Sequence, residues 1–331
     1  MRWMSGTPIA QPLESREIAG TCRTALPNVL PLNKLRSDSL AGPSRRRVLK
    51  TAAAGAVLAL PGVATLAQPR EGVQVGPRSH FESLVPAAEI EAQAARGYHE
   101  MLAQAQREHR LAPPDHVQVR RLVMISQRLR PFAGMWNERA VGWQWEVNLI
   151  GSPQVNAFCM PGGKIAFYWG ILSKLQLSDD EVAMVMGHEM THALREHGRA
   201  QIGKQVATQG TIALLAGLFG WGNTGRQVAG MGGQLLSLKY SRDDETEADL
   251  IGLELAARAG YRPQAALSLW RKMEAASRGA PPAFLSDHPS NPDRLRTIAA
   301  NIPRVQGLYD RAPKPDVRYG PPMSGGNSGK D

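Results

Sequence analysis

Apolar positions return at helical spacing along most of the chain and at two-residue spacing in one stretch. From Pro86 to about Arg110, apolar and small residues recur every three or four positions, which predicts an amphipathic helix. Pro113-Pro114 breaks that pattern. A second helix is predicted over Asp115–Arg130, with Val117, Val119, Leu122, Val123, Ile125 and Leu129 available for a buried stripe. The period then falls to two. Val141–Ile150 alternates and places Trp143, Trp145, Val147 and Leu149 on one face of a strand. Val155–Met160 and Lys164–Trp169 read as two more strands around a turn at Pro161-Gly162-Gly163.

Helical spacing resumes at Ser178. With Glu181 three residues on, Ser178 forms a capping box that opens a helix reaching about His197. Residues 202–236 are glycine-rich around an apolar run at 211–221. Eleven residues are too few to cross a bilayer. A lid or plug is the favoured reading of this stretch; a membrane-surface contact and a buried helix are the others. Further helices are predicted over Ser241–Ala259, ended by Gly260, over Pro263–Ser277 and over Asn291–Asn301. Residues 312–331 are rich in Pro, Gly and Ser and are expected to be disordered. The fold class expected is α+β and mainly helical, with a small sheet inserted between helices.

Composition narrows the function. With 43% hydrophobic residues among 331, the chain is not disordered throughout. Its two cysteines, Cys22 and Cys159, cannot build a disulfide framework. The formal charge of +10 is concentrated at the front: nine of the 39 basic residues and only three of the 29 acids lie in residues 1–67. The remainder is nearly balanced and gives no electrostatic case for nucleic acid. Residues 44–50 read Ser-Arg-Arg-Arg-Val-Leu-Lys, followed by an apolar stretch at 51–60 and small residues up to Ala67. This is the layout of a signal peptide and resembles a twin-arginine signal, with cleavage expected after Ala67. The expected location is the periplasm. The expected organisation is an extension and signal at 1–67, a linker at 68–84, a domain at 85–311 and a tail at 312–331.

The candidate chemistry lies in His188-Glu189-Met190-Thr191-His192. Two histidines four apart on a helix are offset by only about 40°, so both imidazoles can grip one ion. Zinc takes histidine nitrogen, and Glu189, a quarter-turn round, is placed to take a proton from water. A third ligand is needed. His197, nine residues after His188, falls half a turn off the ligand face and is a poor candidate. An extended H-E-x-x-H-x-x-G-x-x-H pattern is absent, because positions 195 and 198 hold Arg195 and Gly198. Glu245 and Asp249 share a helix face, and spacing alone leaves two equal readings. Glu245 is the third ligand with Asp249 orienting a histidine, or the pair is a solvated acidic helix start.

Together with His-Glu-Met-Thr-His, Glu245-Thr-Glu-Ala-Asp249 resembles the signature of peptidase family M48, the HtpX-like zinc metalloproteases of the gluzincin clan. Asn156-Ala-Phe-Cys-Met-Pro-Gly-Gly163, Tyr261-Arg-Pro-Gln-Ala-Ala266, and His288-Pro289 with Arg294 are similar to further elements of that family. The resemblance covers about 85–305 and implies a zincin-like domain holding one Zn2+ through His188, His192 and Glu245, with Glu189 as general base. It leaves His288 open as oxyanion donor, as an inhibitory zinc ligand or as a plain helix cap. Arg294 is expected to pair with an acid or help hold the oxyanion. Cys159 stands where the family usually has alanine, and a buried small hydrophobe is favoured over an inhibitory thiol. Asn156, Ala157 and Phe158 are expected on an edge strand to which peptides add by backbone pairing, against the alternative of an interior strand.

Membrane-embedded members have spanning helices and this chain has none, so it resembles the soluble periplasmic branch. The function this implies is a zinc metalloendopeptidase acting on unfolded or misfolded envelope proteins, with outer-membrane assembly machinery as a further partner. The competing reading is a chaperone-like assembly factor for outer-membrane proteins with a latent zinc site. A purely structural zinc module is disfavoured, because Glu189 would have no purpose in it.

Overall fold

The computed structural model describes residues 70–209, 238–277, 282–288 and 293–323. The signal segment and the apolar run at 211–221 lie outside the described residues. The described elements are α1 (Ala87–Arg107), α2 (Val117–Leu129), β1 (Glu146–Ile150), β2 (Ala157–Met160), β3 (Lys164–Tyr168), α3 (Trp169–Leu175), α4 (Asp179–Leu194) and α5 (His197–Gln209). They continue with α6 (Arg242–Arg258), α7 (Ala265–Ala276), α8 (Ala283–Asp287) and α9 (Arg294–Arg311). The architecture is mainly helical with a small three-stranded sheet, as expected.

The sheet runs in the order β1-β3-β2, with β1 parallel and β2 antiparallel to β3. β2 is therefore an edge strand. Alternation sorts the side chains of the sheet to two faces. Leu149, Ala157, Cys159, Ile165 and Phe167 join the main core. Ile150, Phe158, Met160 and Ala166 pack on the other side with Ile90, Ala94 and Tyr98 of α1.

α4 runs through the middle of the main core, and all sixteen of its residues are buried. The capping box at Ser178 and Glu181 is present as predicted. Burying three acids at its start would be costly without partners. Each has them. Asp179 accepts from Arg121 Nε at 2.7 Å, Asp180 from the Arg262 amide at 2.9 Å, and Glu181 from Lys272 Nζ at 2.7 Å. α6 lies against α4 at a point where Gly187 faces Gly252. A Cβ on Gly252 would lie 2.7 Å from the His188 backbone nitrogen, and one on Gly187 2.7 Å from the Gly252 carbonyl oxygen. Only glycine lets the two backbones come this close.

Several expectations shift. The first strand is confined to Glu146–Ile150, because residues 138–142 form a 3₁₀ turn; Trp143 and Trp145 precede the strand yet reach the same core as Val147 and Leu149. The helix expected to reach His197 stops at Leu194. Glu196 takes φ +55° and redirects the chain, so His197 opens a new helix. The last helix extends to Arg311 through Pro303, since Ile298, Val305 and Leu308 continue one buried face. α3 and α8 were not predicted.

The flanking segments are tied down. Glu254, fully buried, accepts from Arg70 Nη2 at 2.6 Å and the Val73 amide at 2.8 Å. Asp179 also receives the amides of Tyr319 and Gly320, at 2.8 and 3.0 Å. Composition alone read both segments as loose, because their order comes from partners more than a hundred residues away.

Gly252→Ala is expected to cost about 1–3 kcal/mol by overpacking. The denaturant midpoint should fall with an unchanged slope; a wild-type midpoint would contradict the close helix approach.

Candidate metal centre

His188 and His192 sit one turn apart on α4, and Glu245 and Asp249 one turn apart at the start of α6. His288 ends α8 and Arg294 begins α9. The α4–α6 approach brings these together. His188 Nε2 lies 3.2 Å from His192 Nε2, and the Glu245 carboxylate oxygens lie 3.5 Å from each. His288 Nδ1 stands 3.3 Å from His188 Nε2 and 3.0 Å from Glu245 Oε1. One atom from each of His188, His192, Glu245 and His288 falls within a 4.8 Å group, and all four residues are buried.

The donor set fits a metal ion. Asp249 Oδ1 lies 3.0 Å from His188 Nδ1, and a carboxylate can only accept there. That puts the His188 proton on Nδ1 and leaves Nε2 as a lone pair. Burial, and then its neighbours His188 and His288, push His192 well below the usual imidazole range, which favours its neutral form. Two imidazole nitrogens aimed at one point suit a cation between them. Burial alone would raise Glu245, but the His288 hydrogen bond and the positive charge of its neighbours outweigh it and hold the carboxyl at about 2. An anionic oxygen therefore completes the set.

Arg294 locks the second helix's contribution. Its Nε donates to Asp249 Oδ2 and its Nη2 to Glu245 Oε2, both at 2.6 Å, while the guanidinium lies 3.8 Å over the Trp270 ring. One guanidinium thus pairs with two acids of α6 at once.

Glu189 behaves differently. It is buried, and its Oε1 has no hydrogen-bond partner, with His288 Nε2 3.5 Å away. Burial raises its pKa, only partly offset by His288 and His188. It lines a cavity of about 70 Å³ together with Asn156, Phe158, Met160, Tyr168 and Tyr240. Raised basicity and a free oxygen are what a proton acceptor needs. Cys159 lines the same cavity but is outside the four-residue group. Burial pushes its thiol well up, so it stays protonated and acts as an apolar filler.

β2 borders this cavity. Tyr168 donates its amide to the Asn156 carbonyl at 3.1 Å, so alternation turns the Phe158 backbone toward β3. The Ala157 and Cys159 backbones point away from β3, off the edge that carries no strand among the described residues. The Ala157 amide is taken by Asn156 Oδ1 at 2.9 Å, and Asn156 Nδ2 donates to Asp287 at 3.0 Å.

Two neighbours escaped the sequence reading. Tyr240 stacks on His192 with ring centroids 3.9 Å apart; nothing in its spacing from the motif marks it. His197 was set aside as pointing the wrong way on a continuous helix. The break after Leu194 instead puts its Nδ1 3.0 Å from His192 Nδ1, next to the cluster rather than in it.

The model of peptidase family M48 matches residues 117–302, more than half of the chain. The chain belongs to peptidase family M48. Its metal is therefore zinc, and the cluster described above accommodates it. The chain is 34% identical over 200 residues to mitochondrial metalloendopeptidase OMA1 of Schizosaccharomyces pombe, covering 60% of this chain and 57% of that one. It is 27% identical to metalloprotease LoiP of Escherichia coli, over 52% of this chain and 69% of that one. The beta-barrel assembly-enhancing protease of Yersinia pestis is 29% identical over 48% of this chain and 35% of its own length. The match spans less than two thirds of the mitochondrial relatives' length.

Asp249→Ala removes the acceptor that fixes His188. Zinc affinity, measured against a chromophoric chelator, should fall about 10–100-fold. An unchanged affinity would show that Asp249 does not orient the ring.

Proposed function

We propose that the protein is a zinc-dependent metalloendopeptidase that hydrolyses bonds within unfolded or misfolded envelope proteins. The observation that carries this reading is a buried carboxylate with one oxygen free of hydrogen bonds, Glu189 Oε1, lining a cavity between the donor cluster and the β2 edge. His188, His192 and Glu245 would hold the zinc. Bound there, zinc polarises a carbonyl and makes water more acidic. Glu189 accepts the proton released as water attacks the scissile carbon and returns it to the departing amine. An extended substrate lies along β2, using the outward Ala157 carbonyl and the Cys159 backbone, the Ala157 amide being held by Asn156 Oδ1. Backbone pairing reads little sequence, which suits an unfolded substrate. His288, with Nε2 toward Glu189, is positioned to donate to the oxyanion.

Residues 44–67 support export by a twin-arginine-type signal to the periplasm, with a metallopeptidase domain over 85–311. Among the described residues no helix is long and apolar enough to cross a membrane. The bacterial relatives favour protein quality control in the envelope, and the Yersinia protein's name favours a link to outer-membrane assembly. One observation favours the second reading, a chaperone-like factor with a latent site: His288 already stands among the metal donors, where it can close the coordination.

Casein incubated with the zinc-loaded protein tests the choice. Cleavage should fall about 10²–10⁴-fold in Glu189→Gln with zinc still bound. No cleavage by either protein would favour the latent reading. Edge pairing is tested separately with a peptide substrate N-methylated at one amide at a time. Cleavage should be lost at alternate positions; a uniform tolerance would remove β2 from the substrate path.

A further inference from the structure

We infer that His197 is a positioning residue for the metal, acting through His192 as the middle of a Glu247–His197–His192 relay. The two nitrogens of His197 face different partners. Nε2 lies 3.3 Å from Glu247 Oε2 and 3.7 Å from Asp244 Oδ1, two carboxylates and no donor. Nδ1 lies 3.0 Å from His192 Nδ1. A carboxylate accepts only, so the His197 proton belongs on Nε2. With that proton on Nε2, Nδ1 is the nitrogen of His197 left to accept. His192 must donate to it from Nδ1, which leaves His192 Nε2 bare and directed at His188 Nε2, 3.2 Å away. The tautomer needed for metal binding is thus dictated two residues back along the chain of bonds.

The relay is built to hold still. His197 is 4% exposed and His192 2%. Tyr240 stacks flat on the His192 ring, with its plane tilted by 20°. Glu247 is clamped by Arg195, whose Nε lies at 2.8 Å and Nη2 at 3.2 Å, and Arg195 Nη2 also donates to the Gly76 carbonyl at 2.8 Å. Burial alone would raise Glu247, but the bonds from His197 and Arg195 outweigh it and keep it an acceptor. The two ligand histidines are therefore oriented by different means. His188 leans directly on a carboxylate, whereas His192 reaches one through a second imidazole. The break between α4 and α5 is what makes this reach possible.

The inference rests on the zinc reading, and zinc titration of the full chain against a chromophoric chelator separates the two. His197→Asn keeps an acceptor at the Nδ1 position. His197→Phe keeps a planar ring and His197→Leu keeps bulk, and neither offers an acceptor. We expect His197→Asn to stay within about threefold of the wild-type zinc affinity, and the two apolar variants to lose about 10–100-fold. A packing role predicts the reverse order, with His197→Phe nearest the wild type, and that order overturns the relay. Equal affinities in all four proteins overturn it as well. A wild type that binds no zinc overturns the zinc reading itself, and the relay with it. Thermal melts show which variants fold. Should the apolar pair unfold, His197→Asn against His197→Gln decides, because the longer amide reaches the Nε2 position instead. Tighter zinc binding by His197→Asn than by His197→Gln supports the relay, and parity overturns it.

Discussion

The close approach of α4 and α6 at Gly187 and Gly252 is the constraint on which the rest of the structure depends. The motif on α4 supplies two nitrogens and one base, which is not a complete site. The remaining oxygen and the group that orients His188 come from α6, more than fifty residues away. A methyl on either glycine would lie 2.7 Å from the opposite backbone. Widening the helix pair to accept it would pull Glu245 off both histidines, whose Nε2 atoms it meets at 3.5 Å. Packing at two residues without side chains thereby sets the dimensions of a site made from four residues that have them.

Bringing so much charge into the interior is costly unless each group is paired. The chain pairs nearly all of them. The acids at the start of α4 are met by Arg121, Lys272 and backbone amides from the following segments. Arg294 serves Glu245 and Asp249 at once, so a single cation anchors both the donor oxygen and the group that orients His188. Against this background the bare Oε1 of Glu189 stands out. The proposed role of Glu189 as general base needs such an oxygen, kept free for water.

The same economy explains how the flanking segments come to be ordered. Pro, Gly and Arg before Val85, and Pro and Gly after Arg311, offer no periodicity of their own. Their amides and guanidinium groups instead satisfy buried carboxylates of the core, Glu254 on one side and Asp179 on the other. The core needs those donors, and the segments gain their conformation from the core.

Much of this protein was legible in the sequence for identifiable reasons. Helical spacing, the Ser178–Glu181 capping box and the glycine at 260 are local signals, and local signals report local structure. Two histidines four apart on a helix must share a face, so the grip on a metal ion follows from the pitch of the helix alone. The resemblance to peptidase family M48 added Glu245 as the third donor, which spacing had left even with a solvated acidic turn. What sequence could not reach is whatever depends on a change of chain direction or on distant partners. His197 is no donor, as its spacing implied, but its contact with His192 is hidden from the sequence because one residue, Glu196 at φ +55°, ends the helix and redirects the chain. Tyr240, the outward backbone of β2 and the double role of Arg294 have no local signature at all. The sequence by itself determined which groups could carry the chemistry, because residue type and helical pitch are written in it. The tertiary structure alone decided their tautomers, their partners and which carboxylate stayed free, because those depend on which distant groups share the same buried space.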